Sequence, residues 1–206
     1  MLRFMASQLR QPSGWFGSIV MSRLLNKVNA RIVDATLTLM EVKPEHDVLE
    51  IGFGGGSALP RLVNSASSGV IAGVDISPDM VRRAERKFRS EIRAGRLRVQ
   101  VGDVSKLPFS DAAFDRVFTI NTIYFWPSTL GGLGEVYRVL RHDGRAAISI
   151  RSRDKMQKQS VTKHGFRLFS ADEVASLMRQ AGFREIGVDH RDQHKWYDQV
   201  VVIGSR

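Results

Sequence analysis

From Asp47 onward, short runs of β-branched and other apolar residues alternate with longer stretches in which apolar positions recur every three or four residues. Continuous apolar runs suit strands buried on both faces, and the longer period suits the helices that cross between them, so the pattern predicts βαβ units around a parallel sheet. Strands are expected near Asp47–Ile51, Val70–Asp75, Leu97–Val101, Phe114–Ile120, Ala146–Ile150, Glu185–Asp189 and Gln199–Gly204. Two helix starts are marked by cap chemistry: Ser77-Pro78-Asp79 offers an N-cap serine with proline in the first turn, and Ser170-Ala171-Asp172-Glu173 has capping-box spacing, with Gly182 as its stop. Ahead of the first strand, Phe16, Ile19, Val20, Leu24, Val28, Ile32, Ala35 and Leu39 fall close to helical spacing, so Trp15 to Met40 should form one or two helices over the sheet edge. Arg151 to Arg167 lacks a period and reads as a loop or lid.

With 206 residues and 43% hydrophobic content, the chain has material for one core. A single domain over 1–206 is expected, with a helical segment at 1–45 covering the site and an α/β core at 46–206. The longest apolar runs, around Ile19–Leu25 and Ala146–Ile150, are well short of the roughly 20 residues of a spanning helix. Met1–Gly14 has no apolar stretch of the signal-peptide kind, so a soluble, cytoplasmic protein is expected. Cysteine is absent, which excludes disulfides, thiolate metal sites and cysteine nucleophiles. The five histidines show no pair at ligand spacing, and no metal is expected.

Lys plus Arg number 31 against 21 Asp plus Glu, a formal charge of +10, which favours acidic partners without choosing among them. One cluster, Arg82 to Arg98, reads as the solvated face of a helix, because no aromatic residues interleave with its charges as single-stranded nucleic acid would require. A second comprises Arg151, Arg153, Lys155, Lys158, Lys163, His164 and Arg167, at the edge where substrates enter such sheets. It either binds an acidic acceptor or an anionic membrane surface, or is simply a solvated loop.

The chemistry is concentrated where the first strand ends. In Val48-Leu49-Glu50-Ile51-Gly52-Phe53-Gly54-Gly55-Gly56, the glycines remove side chains where backbone approaches a ligand and the next helix packs. Glycine turns of this kind are common, and Glu50 is the sharper signal: a carboxylate there would repel a pyrophosphate and attract a cation. The third position of the dinucleotide fingerprint is Ser57 rather than glycine, which counts against a nicotinamide-dependent oxidoreductase. Asp75 ends the second strand at the distance suited to ribose hydroxyls, and Asp103, in Gly102-Asp103-Val104, can accept from an adenine amino group. Three acids and three glycines thus converge on a cationic nucleoside.

These residues, with Leu107-Pro108-Phe109, Phe114-Asp115 and Val139-Leu140-Arg141-His142-Asp143-Gly144, resemble the motifs of the class I S-adenosylmethionine-dependent methyltransferases from Glu50 to the C-terminus. The resemblance implies a Rossmann-like, doubly wound α/β sheet of seven strands in the order 3-2-1-4-5-7-6, the last antiparallel, with helices on both faces. It implies S-adenosyl-L-methionine as cofactor, held by Glu50, Gly52, Phe53, Gly54, Gly56, Asp75, Ile76, Met80, Gly102, Asp103, Val104, Asn121 and Thr122. It also implies methyl transfer to a small-molecule acceptor. The segment Asn121-Thr122-Ile123-Tyr124-Phe125-Trp126 lacks the Asn/Asp-Pro-Pro-Tyr/Phe pattern used for planar amines, and its rings point to an aromatic or apolar acceptor, or else to core packing. Tyr124 and His164 are the catalytic candidates, His164 as a base by its place in the chain. RNA or protein methylation is the alternative, drawn from net charge.

Overall fold

The computed structural model describes residues 2–11, 22–194 and 197–206, and of 22–28 and 192–197 it describes no side chains. Phe16, Ile19 and Val20, and the side chains of Leu24, Val28 and His194, therefore lie outside the described residues. Two helices, α1 (Leu2–Arg10) and α2 (Ser22–Met40), precede β1 (Val48–Ile51). There follow α3 (Leu59–Ser65), β2 (Ile71–Asp75), α4 (Pro78–Lys87), α5 (Arg89–Arg93), β3 (Leu97–Val101) and β4 (Phe114–Ile120). The remainder is α6 (Thr129–Val139), β5 (Leu140–Arg151), the short α7 (Arg153–Met156), α8 (Ala171–Gln180), β6 (Arg184–His194) and β7 (Tyr197–Ser205).

The strands form one seven-stranded sheet in the order β3-β2-β1-β4-β5-β7-β6, parallel except that β7 runs antiparallel to both β5 and β6. The expected order is therefore the observed one. Alternate residues divide between the faces: Leu49, Ile51, Val117, Ile148 and Val202 join α6 and α8 in one core, while Val48, Phe118, Ala147 and Val201 join α2, α3 and α4 in the other. The central strands β1, β2 and β4 thus bury both faces, the arrangement their unbroken hydrophobicity signals, while the edge strands β3 and β6 are partly exposed.

The caps behave as their sequences predict. Ser77 Oγ accepts from the Met80 N–H, and Ser170 and Glu173 form a reciprocal capping box. Two features differ from expectation. Val139 ends α6 and Leu140–Gly144 is absorbed into β5: Leu140 pairs with Phe114, and pairing resumes at Arg145 opposite Arg116, so the intervening residues bulge, with Asp143 at φ 62°. The segment after β5 also carries α7 and a 3-10 turn, Ser160–Lys163, against which α1 packs.

Candidate functional site

The parallel strands β1, β2 and β4 end at one edge, and a cleft of about 1010 Å³, measured out to its mouth, opens there. It is lined by Glu50, Gly52, Phe53 and Gly54 from the first turn, Asp75 and Ile76 from the second, Gly102, Asp103 and Val104 after β3, and Asn121 and Thr122 after β4. Leu9 and Arg10 of α1 and Asn29 and Val33 of α2 close its other side, and Gln11 Nε2 donates to the Ile76 carbonyl over 3.2 Å.

The three glycines at positive φ do different work. A Cβ on Gly52 would overlap the Thr122 methyl, so this glycine admits the β4 loop. A Cβ on Gly54 would meet nothing within 4 Å, and the bare backbone there faces ligand space. Gly56 and Met80 do not line the cleft. A Cβ on Gly56 would meet Leu59 and Phe88, and Met80, in the first turn of α4, is buried in the core.

Glu50 is 4% exposed, yet its Oε2 has no hydrogen-bond partner. Burial, and then the nearby Asp75 carboxylate, push its carboxyl up to about 8. Asp75 is equally buried but satisfied: Oδ2 accepts from the Gly54 N–H at 2.7 Å and Oδ1 from the Ser77 N–H at 2.9 Å. Burial raises its carboxyl from the ordinary range, and those two bonds oppose the rise. Half-buried Asp103 accepts from the Ser105 N–H at 2.7 Å. An orphaned buried carboxylate oxygen calls for a cationic donor, so the cleft suits an ammonium-bearing nucleoside and not a pyrophosphate.

A second cavity of about 710 Å³ shares Leu9, Asn29, Asn121 and Phe125 with the first and continues past Tyr124, Arg151, Met156, Gln159, Val161, Thr162 and Phe166. Phe125 and Phe166 meet at 4.6 Å between centroids, and Tyr124 and Phe166 at 6.1 Å. Asn121, at the unusual φ of 58°, stands between the two spaces. Its Nδ2 donates to Asn29 Oδ1 at 3.0 Å, and its Oδ1 accepts from the Tyr124 hydroxyl at 3.1 Å.

The Tyr124 oxygen in turn accepts from the Arg151 N–H at 2.6 Å. Burial raises its phenol above the ordinary range, so Tyr124 lines the cavity as a neutral, hydrogen-bonded wall and not as a base. His164, the expected base, lines neither cavity. Trp126 lines the first cavity, where its Nε1 donates to Thr122 Oγ1 at 3.1 Å.

The basic clusters also come apart. Of the basic residues from Arg151 to Arg167, only Arg151 lines the second cavity; Arg153 is paired with Glu173, and Arg167 donates to Thr129 Oγ1. In the other cluster Arg96 is a clamp, donating to the Val63 and Ala66 carbonyls at 2.9 Å each, while Arg82 pairs with Asp79.

Of the residues lining the second cavity, Asn121, Tyr124, Phe125 and Arg151 belong to segments that the sequence singles out, whereas Leu9 and Phe166 stand in segments with no motif and are added by the fold. Among the described residues no group of three or more potential metal ligands occurs, and no helix is long and apolar enough to cross a membrane.

Residues 49–148 match the family model described as a methyltransferase domain. The chain is 30% identical to the malonyl-[acyl-carrier protein] O-methyltransferase of Geobacter sulfurreducens, over 84% of this chain and 69% of that one. It is 24% identical to the uncharacterized methyltransferase YdaC of Bacillus subtilis, over 76% of this chain and 82% of the relative. The crystal structure of a SAM-dependent methyltransferase from Aquifex aeolicus superposes with a TM-score of 0.73 at 22% identity, covering 89% of this chain and 97% of the other.

Proposed function

Because the chain belongs to the S-adenosylmethionine-dependent methyltransferases of class I, we propose that it methylates a small-molecule acceptor seated in the second cavity. S-adenosyl-L-methionine is the cofactor. In our reading Glu50 would hold its ammonium, Asp75 its ribose hydroxyls through lone pairs left after the Gly54 and Ser77 bonds, and Asp103, with Ile76 and Val104, its adenine. When bound, the cofactor supplies a methyl group already activated by the sulfonium, so the protein's part is to orient and to exclude water.

The observation that carries the proposal is the shared wall. Leu9, Asn29, Asn121 and Phe125 border both spaces, so a ligand in one abuts a ligand in the other. Asn121, pinned on both ends of its amide, fixes the height of that wall. The O-methyltransferase relative supports oxygen as the receiving atom. The cavity is concave and mostly apolar in its lining, which favours a small acceptor over a macromolecule.

The test is transfer of tritiated methyl groups into a fractionated cell extract, alongside calorimetric binding of S-adenosylhomocysteine. Label is expected in the small-molecule fraction. Label confined to RNA or protein, with the homocysteine product bound normally, would overturn the acceptor class and leave the cofactor site standing.

A further inference from the structure

Resting on the assignment of the first cleft to S-adenosyl-L-methionine, we infer that α1 is a lid that closes on the cofactor, with Arg10 pairing with the cofactor's carboxylate, and that the same closure completes the second cavity.

The cofactor carries a carboxylate beside its ammonium, and most of the cleft is ill suited to it. Glu50, Asp75 and Asp103 line the walls, and carboxylates that attract an ammonium repel a second anion. Among the described lining residues Arg10 is the one cation. It is exposed, and among the described residues its guanidinium has neither a hydrogen bond nor an ion pair, so nothing holds it away from a ligand. Asn29 and Ser57 also line the cleft, but their amide and hydroxyl are neutral and do not offset three acids.

Arg10 does not stand on the sheet ends that carry the acids. Its helix crosses the cleft: Gln11 Nε2 reaches the Ile76 carbonyl beyond β2, while Leu9 lies in the wall shared with the second cavity. The Gln11 bond is exposed, the kind that opens and recloses readily. Helix α1 also packs on the 3-10 turn Ser160–Lys163, which supplies Val161 and Thr162 to the second cavity. A ligand that draws Arg10 inward therefore also seats Leu9 and steadies that turn.

A ligand shifts a lid only through contacts that it makes better in one position than in the other. The pair between Arg10 and the carboxylate is such a contact, since it forms only with α1 closed. Closure excludes water from the cleft and finishes the second cavity once the cofactor is in place, so the acceptor binds second.

The test compares S-adenosylhomocysteine with its decarboxylated analogue, which keeps the adenosine and the amine, by calorimetry and by hydrogen exchange read with mass spectrometry. S-adenosylhomocysteine is expected to bind the wild type ~10-fold tighter than the analogue, as one charge-assisted pair provides. Arg10→Gln should erase that preference by weakening S-adenosylhomocysteine alone, and Arg10→Lys should retain part of it. An unchanged melting temperature of the ligand-free variants shows that they remain folded. In the wild type S-adenosylhomocysteine should slow exchange in α1 and also in Ser160–Lys163, whereas in Arg10→Gln only the strand ends should be protected. A preference that survives Arg10→Gln overturns the pairing and gives the carboxylate to a neutral donor such as Asn29 or Ser57. Protection of the strand ends without α1 in the wild type overturns the lid, and in both cases the cofactor site stands. If S-adenosylhomocysteine does not bind the wild type, the cleft is not the cofactor site and both fall.

Discussion

The proposed cofactor cleft and the proposed acceptor cavity share a wall, but they are built from different materials. The cleft sits on the ends of parallel strands, and three carboxylates line it within or just beyond β1, β2 and β3. The cavity is assembled from α1, α2, a 3-10 turn after β4 and the irregular stretch after β5, and among its described lining residues Arg151 is the charged one. The contrast separates two tasks. Binding one invariant cation rewards rigid, costly burial of acids, whereas shaping a pocket for a particular acceptor requires only that loops be repacked over an unchanged sheet.

Glu50 offers the largest test of that contrast. Glu50→Gln keeps the shape of the cleft and removes the charge, and it should weaken S-adenosylmethionine binding about 100-fold or more, in line with a buried charge losing its partner. The ligand-free protein should respond in the opposite sense. Because Glu50 titrates at about 8 when folded and in the ordinary carboxyl range when unfolded, its contribution to stability is complete at low pH and is lost as pH rises through about 8. The wild-type melting temperature should therefore fall across that window, and Glu50→Gln should flatten the fall while raising the melting temperature above pH 8. A variant that binds normally, or that melts lower at alkaline pH, would break the picture of a strained acid kept for its ligand.

Asp75 comes next, because its burial is compensated where that of Glu50 is not. Asp75→Ala should weaken binding of S-adenosylhomocysteine by about 1–3 kcal/mol through the lost charge-assisted bonds. It should also destabilise the ligand-free protein, since the Gly54 and Ser77 amides lose their acceptor. Calorimetry and thermal melting separate the two effects, and the stability loss distinguishes Asp75 from Glu50. Unchanged affinity would remove Asp75 from the cofactor site.

The same division explains what could be read in advance. The strands, the Ser77 and Ser170 caps and the three acids are local signals: each is set by residues a few positions apart, and each stands where its sequence placed it. A motif position does not say which way backbone or side chain faces, and in the fold Gly56 and Met80 pack toward the core. Helix α6 escaped notice because Gly131, Gly132 and Gly134 dilute its pattern, although Ser128 caps it. The second cavity was legible only in part, through Asn121, Tyr124 and Arg151. Its remaining wall, including Leu9 and Phe166, is brought to them only by the fold, with no fixed spacing for a sequence to display.

A middle-sized effect probes the wall between the two spaces. Tyr124→Phe removes a hydroxyl that accepts from the Arg151 amide and donates to Asn121. The buried amide and carbonyl left behind should cost about 1–3 kcal/mol of stability. Methyl transfer to the small-molecule fraction should slow a few-fold as Asn121 relaxes, while S-adenosylhomocysteine, in our reading held by acids on the strand ends, should keep its affinity. A comparable loss of S-adenosylhomocysteine affinity would mean that the wall belongs to the cofactor cleft as much as to the second cavity.

The smallest expected effect is at His164, the residue that position along the chain made the natural base. It caps the 3-10 turn at Ser160–Lys163 and lines neither cavity. His164→Ala should leave S-adenosylhomocysteine binding unchanged, and transfer of tritiated methyl groups to the small-molecule fraction should keep its rate and its pH dependence across the range where imidazoles ordinarily titrate. A rate reduced ~10-fold or more at unchanged binding would identify a proton transfer that His164 serves.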